Sequence, residues 1–381
     1  MYRYTLYLSF FLLLFSCTTK TNTPEKAIEN SFKSFEIDIN AKEQGINELI
    51  ASVEVVVLEE GGSSYLNRVE NLLIDEEGSL YFYNEGGKSI HVFNESGALQ
   101  RKFSSAGKGP GEYSVLTNFW MEGDTTVIYS RIDAAIYQYS KTGEFIEREE
   151  LPFRAGYMNS FEGGYGLEMN YNLVNDSLKY RYAILDSDLS LKEAYLPYDE
   201  VPDIGNAPGV NSVMAYKDEV LLFRMMSDTV YHYGAEGFQP FIHFNFANDW
   251  FWKGKAQPEQ KDFMQIPNSG KVWELATSVG EDLVYLKGFV AYDGWEHFLI
   301  NRKTGQVIHL NIGLDHKQAF NMVNLGWFGG RLAMAFSGGN AIDFLSLLGD
   351  DQIAGAFSRE ELLAMESENP IICFIKFKAD F

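Results

Sequence analysis

The sequence is poor in cysteine and in positive charge, and it lacks common catalytic motifs. Its 381 residues include two cysteines, and no CxxC, HExxH or GxSxG motif occurs. Lysine and arginine total 31 against 53 aspartate and glutamate residues, which gives a formal charge of −22. Because nucleic-acid binding requires a basic face, this balance excludes DNA and RNA as expected partners.

A phosphate-binding loop is also missing, although "SSAGKGPGEYS" (104–114) has the glycine content of one. A P-loop requires a helix directly after its Gly-Lys-Ser/Thr, whereas Lys108 is followed by Gly109 and Pro110. The next residues, "YSVLTNFWM", are apolar, aromatic and β-branched with no helical periodicity. We therefore interpret this stretch as a structural turn.

The N-terminal residues have the pattern of an export signal. Arg3 precedes an apolar run over 6–15 that is too short to span a bilayer. The run ends in "LLFSC" (13–17), which resembles the lipobox of bacterial lipoproteins. This resemblance implies a signal peptide over 1–16, a lipid on Cys17 that holds the protein to a membrane, and a flexible tether over 17–45. The alternative is a plain signal peptide with an incidental Cys17.

If Cys17 carries lipid, the remaining thiol has no partner for a disulfide within the chain. That thiol, Cys373, lies in "IICFIKF", where a buried and inert side chain is expected. We also expect half-buried strand residues, rather than metal ligands, at the six scattered histidines: His91, His232, His243, His297, His309 and His316.

Short strands and glycine-containing turns recur along the chain. The clearest unit, "VENLLIDEEGSLYFYNEGGKSIHVFNESGALQRKFSS" (69–105), divides into four runs joined by the turns "EEG", "EGG" and "ESG". Similar units begin near residues 117, 157, 209, 272 and 320. Four antiparallel strands in each unit predict an all-β, six-bladed β-propeller over 46–381.

The sixth unit is interrupted by a helical insertion near 341–369. There "SREELLAMESENP" predicts a short helix with Ser358 as its N-cap and Pro370 at its end. Two strands lack neighbours of their own, "ASVEVVVLE" (51–59) and "IICFIKFK" (371–378). Because an open ring would expose two sheet edges, we predict that these N- and C-terminal strands pair and close the last blade.

The first unit and the connection after it (75–113) resemble an NHL-type repeat. They resemble in particular the six-bladed β-propeller lipoproteins of Bacteroidetes, which carry a similar "GxGPGEY" connection. The resemblance begins near residue 52 and is strongest in the first unit. It implies a protein anchored by lipid to the outer membrane of the cell envelope, on its periplasmic or its surface side. It implies little about activity, because propellers include binding proteins, receptors, lactonases and lyases.

Polar residues follow the second strand of each unit, on the face where loops meet around the central channel. Two of them, Arg131 and Arg224, favour an anionic ligand group such as a carboxylate. The aromatic residues Tyr171, Trp295 and Trp327 suit stacking on sugars or peptide side chains, or packing between blades. The ligand-binding candidates are Asn84, Arg131, Asn170, Tyr171, Arg224, Asp293, Trp295 and Asn340.

Three functions remain open. The first is a monomeric, non-catalytic module that binds a peptide, glycan or protein without a cofactor. The second is a metal-dependent hydrolase or lyase, in which Asn84, Asn170 and Asp293 imitate part of the calcium ring of propeller lactonases. The arginines on the same face would repel that cation. The third is a structural subunit that uses the tryptophans of "NDWFWKGK" (248–255) as an interface.

Overall fold

The computed structural model describes residues 32–62, 65–66, 69–84, 88–173, 179–201, 212–255, 258–291, 294–314, 319–379 and 381. Their strands form six sheets of four or five strands each. In five of these sheets, four strands that are consecutive along the chain lie side by side. This antiparallel meander is the unit of a propeller blade. The predicted signal peptide and Cys17 lie outside the described residues.

The N-terminal segment and the first two blades have the following elements. The segment contains β1 (Lys33–Glu36), β2 (Gln44–Gly45), a one-turn helix (Ile46–Leu49) and β3 (Ile50–Val57). Blade one contains β4 (Val69–Ile74), β5 (Leu80–Asn84), β6 (Ile90–Phe93) and β7 (Leu99–Phe103). Blade two contains β8 (Asn118–Glu122), β9 (Thr125–Ser130), β10 (Ala135–Ser140) and β11 (Phe145–Glu150).

The next three blades continue the pattern. Blade three contains β12 (Tyr157–Phe161), β13 (Gly164–Glu168), β14 (Tyr180–Asp186) and β15 (Leu191–Pro197). Blade four contains β16 (Val213–Tyr216), β17 (Glu219–Leu222), β18 (Thr229–Gly234) and β19 (Gly237–Asn245). Blade five contains β20 (Val272–Val279), β21 (Leu283–Val290), β22 (Gly294–Asn301) and β23 (Val307–Asn311).

Blade six combines strands from both ends of the chain. It contains β24 (Met322–Phe328), β25 (Arg331–Phe336), β26 (Ile353–Ala354) and β27 (Ile371–Phe377). The C-terminal β27 pairs antiparallel with β25 on one side and with the N-terminal β3 on the other, where Cys373 lies opposite Val55. The predicted closure of the ring is therefore confirmed, because this pairing covers the edges that the two strands would otherwise expose.

Short helices lie between the blades and within blade six. One-turn helices span Gln260–Phe263 and, as 3₁₀ turns, Ile266–Asn268 and Asp350–Gln352. The insertion in blade six forms helices at Gly338–Ser346 and Arg359–Leu363, and the second begins with the predicted cap, in which Ser358 Oγ accepts from Glu361 N. Among the described residues, no helix has the length and apolar character needed to cross a membrane.

Six apolar clusters lie between neighbouring blades and hold the ring together. Tyr81 of blade one packs in a cluster with Phe119 of blade two, and Phe82 of blade one shares another with Phe374 of blade six. Inner strands such as β6 and β9 are therefore buried on both faces, whereas the outermost β11 is largely exposed. Burial on both faces explains the apolar pairs Val127–Ile128 in β9 and Val92–Phe93 in β6.

The glycine-rich stretch 104–114 is the connection between β7 and β8, as predicted. Ala106 forms a bridge with Tyr113, and the hydroxyl of Tyr139 donates to the carbonyl of Gly111 at 2.8 Å. Gly111 has a φ of 81°, and a Cβ there would lie 2.6 Å from the ring of Phe145. Glycine is required at this position for both reasons.

The N-terminal segment is not a tether throughout. β1 pairs parallel with β19 of blade four, and β2 pairs parallel with β23 of blade five, before β3 enters blade six. Phe35 and Ile37 are buried in the cluster between blades four and five. The predicted tether over 17–45 is therefore wrong for 33–45, because these residues cover the outer edges of two sheets and bury apolar side chains.

Candidate functional site

The ends of the second strands in blades two, three and four define the candidate site. These strands are β9, β13 and β17, and they run in the same direction, so that their C-terminal ends lie on one face of the ring. Arg131 directly follows β9, Glu168 ends β13, and Arg224 lies two residues after β17. The fold thus places the predicted site residues Arg131 and Arg224 in the two blades that flank blade three.

Arg224 and Glu168 form a buried ion pair across blades three and four. Arg224 Nη1 donates to Glu168 Oε1 at 2.5 Å, and the exposed fractions of the two side chains are 11% and 3%. The backbone N–H of Asn170 donates to the same oxygen at 2.9 Å. Burial raises the pKa of Glu168, while the charge of Arg224 acts in the opposite direction. Glu168 Oε2 is buried and has no hydrogen-bond partner among the described residues.

Tyr171 is packed into this arrangement rather than open for stacking. Asn170 and Tyr171 have φ values of 45° and 59°, a left-handed conformation that is uncommon for residues other than glycine. The guanidinium of Arg224 lies 4.4 Å from the centre of the Tyr171 ring, and Tyr198 meets that ring edge-on. Tyr171 is buried as a result. The turn therefore orients groups around the ion pair.

Three more arginines lie at the same face of blades two and three. Arg131 follows β9, Arg154 lies in the connection between blades two and three, and Arg181 lies in β14. Within the part of the chain that the structure describes, none of the three forms an ion pair. Arg154 donates to the carbonyl of Ile132 at 3.1 Å, and the buried Nε of Arg181 has no hydrogen-bond partner among the residues that the structure describes.

Two buried tyrosines, Tyr129 and Tyr182, lie within electrostatic reach of these charges. Burial raises the pKa of Tyr129, and the charges of Arg131 and Arg154 oppose that rise. Burial also raises the pKa of Tyr182, and there Arg224 and Arg181 oppose it. The carboxylate of Glu168 acts on both hydroxyl groups. We name this cluster the arginine face and define it as Arg131, Arg154, Arg181, Arg224 and Glu168.

Asn340 is not at the end of a strand. It lies in the helix Gly338–Ser346, four residues after β25. Its Nδ2 donates to Ser337 Oγ at 2.9 Å, and its Oδ1 accepts from the backbone N–H of Asn321 at 2.8 Å. The side chain thus joins the start of the helix to the first strand of blade six.

The candidate tryptophans on the propeller also make contacts within the protein. Trp295 packs against Phe289 with ring centres 5.0 Å apart, and Lys287 Nζ lies 4.8 Å from its ring. Trp327 donates from Nε1 to the carbonyl of Ser278 at 3.0 Å, which joins blade six to blade five. Trp295 belongs to blade five and is not part of the arginine face.

The tryptophans of the 248–255 excursion are buried. Trp250 and Trp252 belong to the apolar cluster between blades four and five, and Trp252 Nε1 donates to the carbonyl of Trp273. The hypothesis of an interface formed by these two side chains is therefore wrong. They close the gap between two blades instead.

Two candidates cannot be placed. Asp293 lies outside the described residues, and Asn84 is described only through its backbone, which pairs with Val69 at the end of β5. The site thus brings together Arg131, Asn170, Tyr171 and Arg224, while Asn340 and Trp295 lie elsewhere in the ring.

Sequence reasoning missed Glu168, Arg154 and Arg181. Glu168 had a recognisable signal, because it is the one acidic residue of the otherwise apolar β13. Arg154 and Arg181 had none, since a charged residue in a connection or at the start of a strand is ordinary.

The described histidines lie in strands as predicted, but four of the five are buried rather than half-buried. The five described histidines all lie in strands: His91 in β6, His232 in β18, His243 in β19, His297 in β22 and His309 in β23. His316 lies outside the described residues. Cys373 is fully buried, and burial raises the pKa of its thiol, as expected for an inert side chain.

Six blades in a closed ring, with a cationic cluster at the ends of three second strands, define a six-bladed β-propeller with a charged face. The chain belongs to the family described as "Domain of unknown function (DUF4934)", whose family model matches residues 34–376. No curated protein matches the sequence.

Solved structures with similar folds have low sequence identity. A Bacteroides fragilis protein, described provisionally as exported, has a TM-score of 0.72 and 15% identity over 91% of this chain and 100% of that chain. A DUF4221 member from Bacteroides vulgatus has a TM-score of 0.48 and 11% identity over 86% and 98% of the chains. A streptogramin B lyase has a TM-score of 0.42 and 11% identity over 85% of this chain and 97% of that chain. The similarity to the Bacteroides fragilis protein supports the fold alone. The other two similarities are too weak to support any conclusion.

Proposed function

We propose that the protein is a cell-envelope binding propeller whose arginine face holds an anionic group of a peptide or glycan, without converting it chemically. One observation carries this proposal. In a chain with a net charge of −22, three guanidinium groups of this face have no carboxylate partner among the described residues. With so many acidic residues present, unpaired arginines grouped on one face are not explained by stability.

The chemistry of these side chains suits a carboxylate or sulfate. A guanidinium presents a planar set of donors that can bind two oxygens at once. Arg154 precedes Ala155, whose carbonyl accepts from the Tyr129 hydroxyl, and Arg131 lies two residues after Tyr129, so we infer that one anionic group meets both arginines. Arg224 is already satisfied by Glu168, and its role is to hold the turn at Asn170 and Tyr171 in place.

The location belongs to the same proposal. The short apolar run, "LLFSC" and the NHL-like first unit suggest a lipoprotein anchored through Cys17 at the outer membrane. The exported Bacteroides protein of similar fold agrees with this location. We expect a monomer, because the apolar surfaces of the blades are used within the ring.

The arginine face does not favour the hydrolase alternative. A calcium ion bound near Asn170 would lie beside Arg224 and close to the other guanidinium groups of the cluster. The positive charges of the calcium ion and of these guanidinium groups would repel each other. A hard cation such as calcium needs several oxygen ligands to offset this repulsion.

The test uses acidic probes and their neutral counterparts. Oligogalacturonate, heparin fragments and glutamate-rich peptides are titrated calorimetrically into the full-length protein, alongside neutral oligosaccharides and glutamine-rich peptides. We expect an acidic probe to bind, and we expect added salt to weaken binding. Arg131→Gln and Arg154→Gln should each reduce the affinity about tenfold or more, because a charge-assisted hydrogen bond is lost.

Arg148→Gln is the matched control. Arg148 lies in β11 of blade two, it already pairs with Glu150 at 2.8 Å, and it is outside the arginine face. Its replacement should leave the affinity unchanged. The proposal fails if no acidic probe binds, or if binding survives in the Arg131→Gln and Arg154→Gln double variant with an unchanged circular dichroism spectrum.

A further inference from the structure

A second cluster of polar groups lies at the outer edge of blade five. It contains Glu43, just before β2, Glu296 in β22 and His309 in β23. One potential ligand atom from each side chain lies within 4.8 Å of the other two. His309 Nε2 and Glu296 Oε2 are 2.6 Å apart. The cluster therefore joins the N-terminal segment to a blade more than 250 residues away along the chain.

His309 is held with one nitrogen aimed at the carboxylates. Its ring stacks on Phe298 with centres 4.8 Å apart, and the side chain is buried. Its Nδ1 lies 3.0 Å from the carbonyl oxygen of Ala41, so that this nitrogen donates and Nε2 faces Glu296. A backbone carbonyl that accepts from the second ring nitrogen is the usual partner of a histidine that binds metal.

The two carboxylates are close enough to act on the imidazole. Glu43 and Glu296 are only partly buried, so their side chains can rotate toward a common centre.

We propose that Glu43, Glu296 and His309 bind one divalent transition metal ion, of which Zn²⁺ is the best match, and that this ion fastens the N-terminal segment to blade five. One imidazole nitrogen and two carboxylate oxygens are ligands that Zn²⁺ accepts, with water in the fourth position. Ca²⁺ and Mg²⁺ prefer oxygen ligands alone. The two carboxylates neutralise the charge of the ion.

The ion would add a link where the N-terminal segment pairs with blade five through only two residues. β2 contributes two residues to the sheet of blade five, through pairs with Leu310 and Asn311. A metal ion next to this short strand would join the N-terminal segment to blade five through coordination bonds. These bonds must break before the segment can separate from the blade. This role is independent of the arginine face.

The experiment uses full-length protein treated with a chelator and then dialysed. Zn²⁺, Mn²⁺, Ca²⁺ and Mg²⁺ are titrated separately by calorimetry, and protease digestion of the N-terminal segment is followed with and without each ion. We expect one Zn²⁺ to bind per chain, to raise the melting temperature and to slow cleavage within 32–49. Glu43→Gln and Glu296→Gln should each weaken Zn²⁺ binding at least as much as the roughly 10–100-fold loss that follows removal of a group that only hydrogen-bonds a metal ligand.

Glu48→Gln is the matched control, since it removes the same charge from an exposed side chain five residues after Glu43. It should leave Zn²⁺ affinity and protease protection unchanged. Circular dichroism of each variant without metal separates loss of a ligand from loss of the fold. The proposal is overturned if no Zn²⁺ binds at a one-to-one ratio, if both glutamine variants bind it as tightly as the wild type, or if Ca²⁺ or Mg²⁺ binds more tightly.

Discussion

Arg224 and Glu168 meet at 2.5 Å between Nη1 and Oε1, and this contact joins blade four to blade three inside the ring. Both side chains are largely removed from water, so each charge depends on the other for compensation. The ion pair thus distinguishes Arg224 from Arg131, although the sequence suggested the same role for both. Arg224 is committed to the structure, whereas Arg131 forms no ion pair with any described residue.

The first prediction concerns this ion pair. Arg224→Met should reduce the free energy of unfolding by about 3–5 kcal/mol, because the variant leaves the carboxylate of Glu168 buried without compensation. Arg148→Met removes an exposed arginine that pairs with Glu150, and it should cost no more than about 1 kcal/mol. Urea denaturation of both variants measures the difference. Equal losses would show that the Arg224 pair is not buried as described.

The second prediction tests whether the N-terminal segment belongs to the fold. Phe35 is 3% exposed in the cluster between blades four and five, while Phe32 is 53% exposed. Phe35→Ala should therefore destabilise the protein by about 3–5 kcal/mol through lost burial and the cavity that remains. Phe32→Ala should change the free energy of unfolding by no more than about 0.5 kcal/mol. Similar small effects of both substitutions would support a tether.

The third prediction concerns closure of the ring. A chain that stops at Pro370 lacks β27, so β25 and β3 lose the strand between them and expose their edges. We expect this variant to aggregate, as measured by light scattering. A chain that stops at Lys378 keeps β27 and loses the contact of Phe381 with Phe377, and it should remain monomeric. A monomeric Pro370 variant with unchanged melting would contradict the described closure.

The fourth prediction follows from His243, which lies beside β1. The hydrogen bond to Asp228 raises the pKa of His243 against the effect of burial, with Nε2 and Oδ2 3.4 Å apart. Protonated His243 therefore contributes its full stabilisation when the pH is below the unfolded-state pKa of about 6.5. This stabilisation is lost as the pH rises through the raised pKa of the folded state. His243→Gln should cost more at pH 5.5 than at pH 8.5, though less than about 1 kcal/mol because the pair is half exposed.

Denaturation at the two pH values measures this difference. Burial raises the pKa of Asp228, but hydrogen bonds from His243 and Thr229 outweigh it and lower the pKa overall, so Asp228 is ionised at both. Ser34→Ala is the control, because it removes the 2.9 Å contact with His243 Nδ1 and keeps the imidazole. A cost of His243→Gln that does not change with pH would refute the assignment.

The fifth prediction concerns Cys17. If "LLFSC" directs lipidation, a fatty-acid analogue supplied to growing cells should label the wild-type protein and not Cys17→Ser. Several acyl chains hold a protein firmly at a membrane, whereas the variant should appear in the soluble envelope fraction. Cys373→Ser is the control, because that thiol is buried in β27 and should not affect labelling. Equal labelling of wild type and Cys17→Ser would exclude a lipid at this position.

The sequence by itself determined the blades. Alternating short strands and turns such as "EEG" and "ESG" are local patterns, and they predicted the four strands of blade one between those turns. It also determined the closing pair, since β3 and β27 are strongly apolar and neither has a neighbouring strand in its own stretch of the sequence. Each of these inferences depends on neighbouring residues or on the need to cover an edge.

Only the tertiary structure decided which charges meet. Glu168 lies 56 residues from Arg224, and Glu43 lies more than 250 from His309, so that no spacing along the chain indicates either contact. The path of residues 33–45 over blades four and five was also decided by the tertiary structure, because the polar composition of this stretch resembles a tether. Its attachment comes from Phe35, Ile37 and the open edges of β19 and β23, which exist only once the ring has formed.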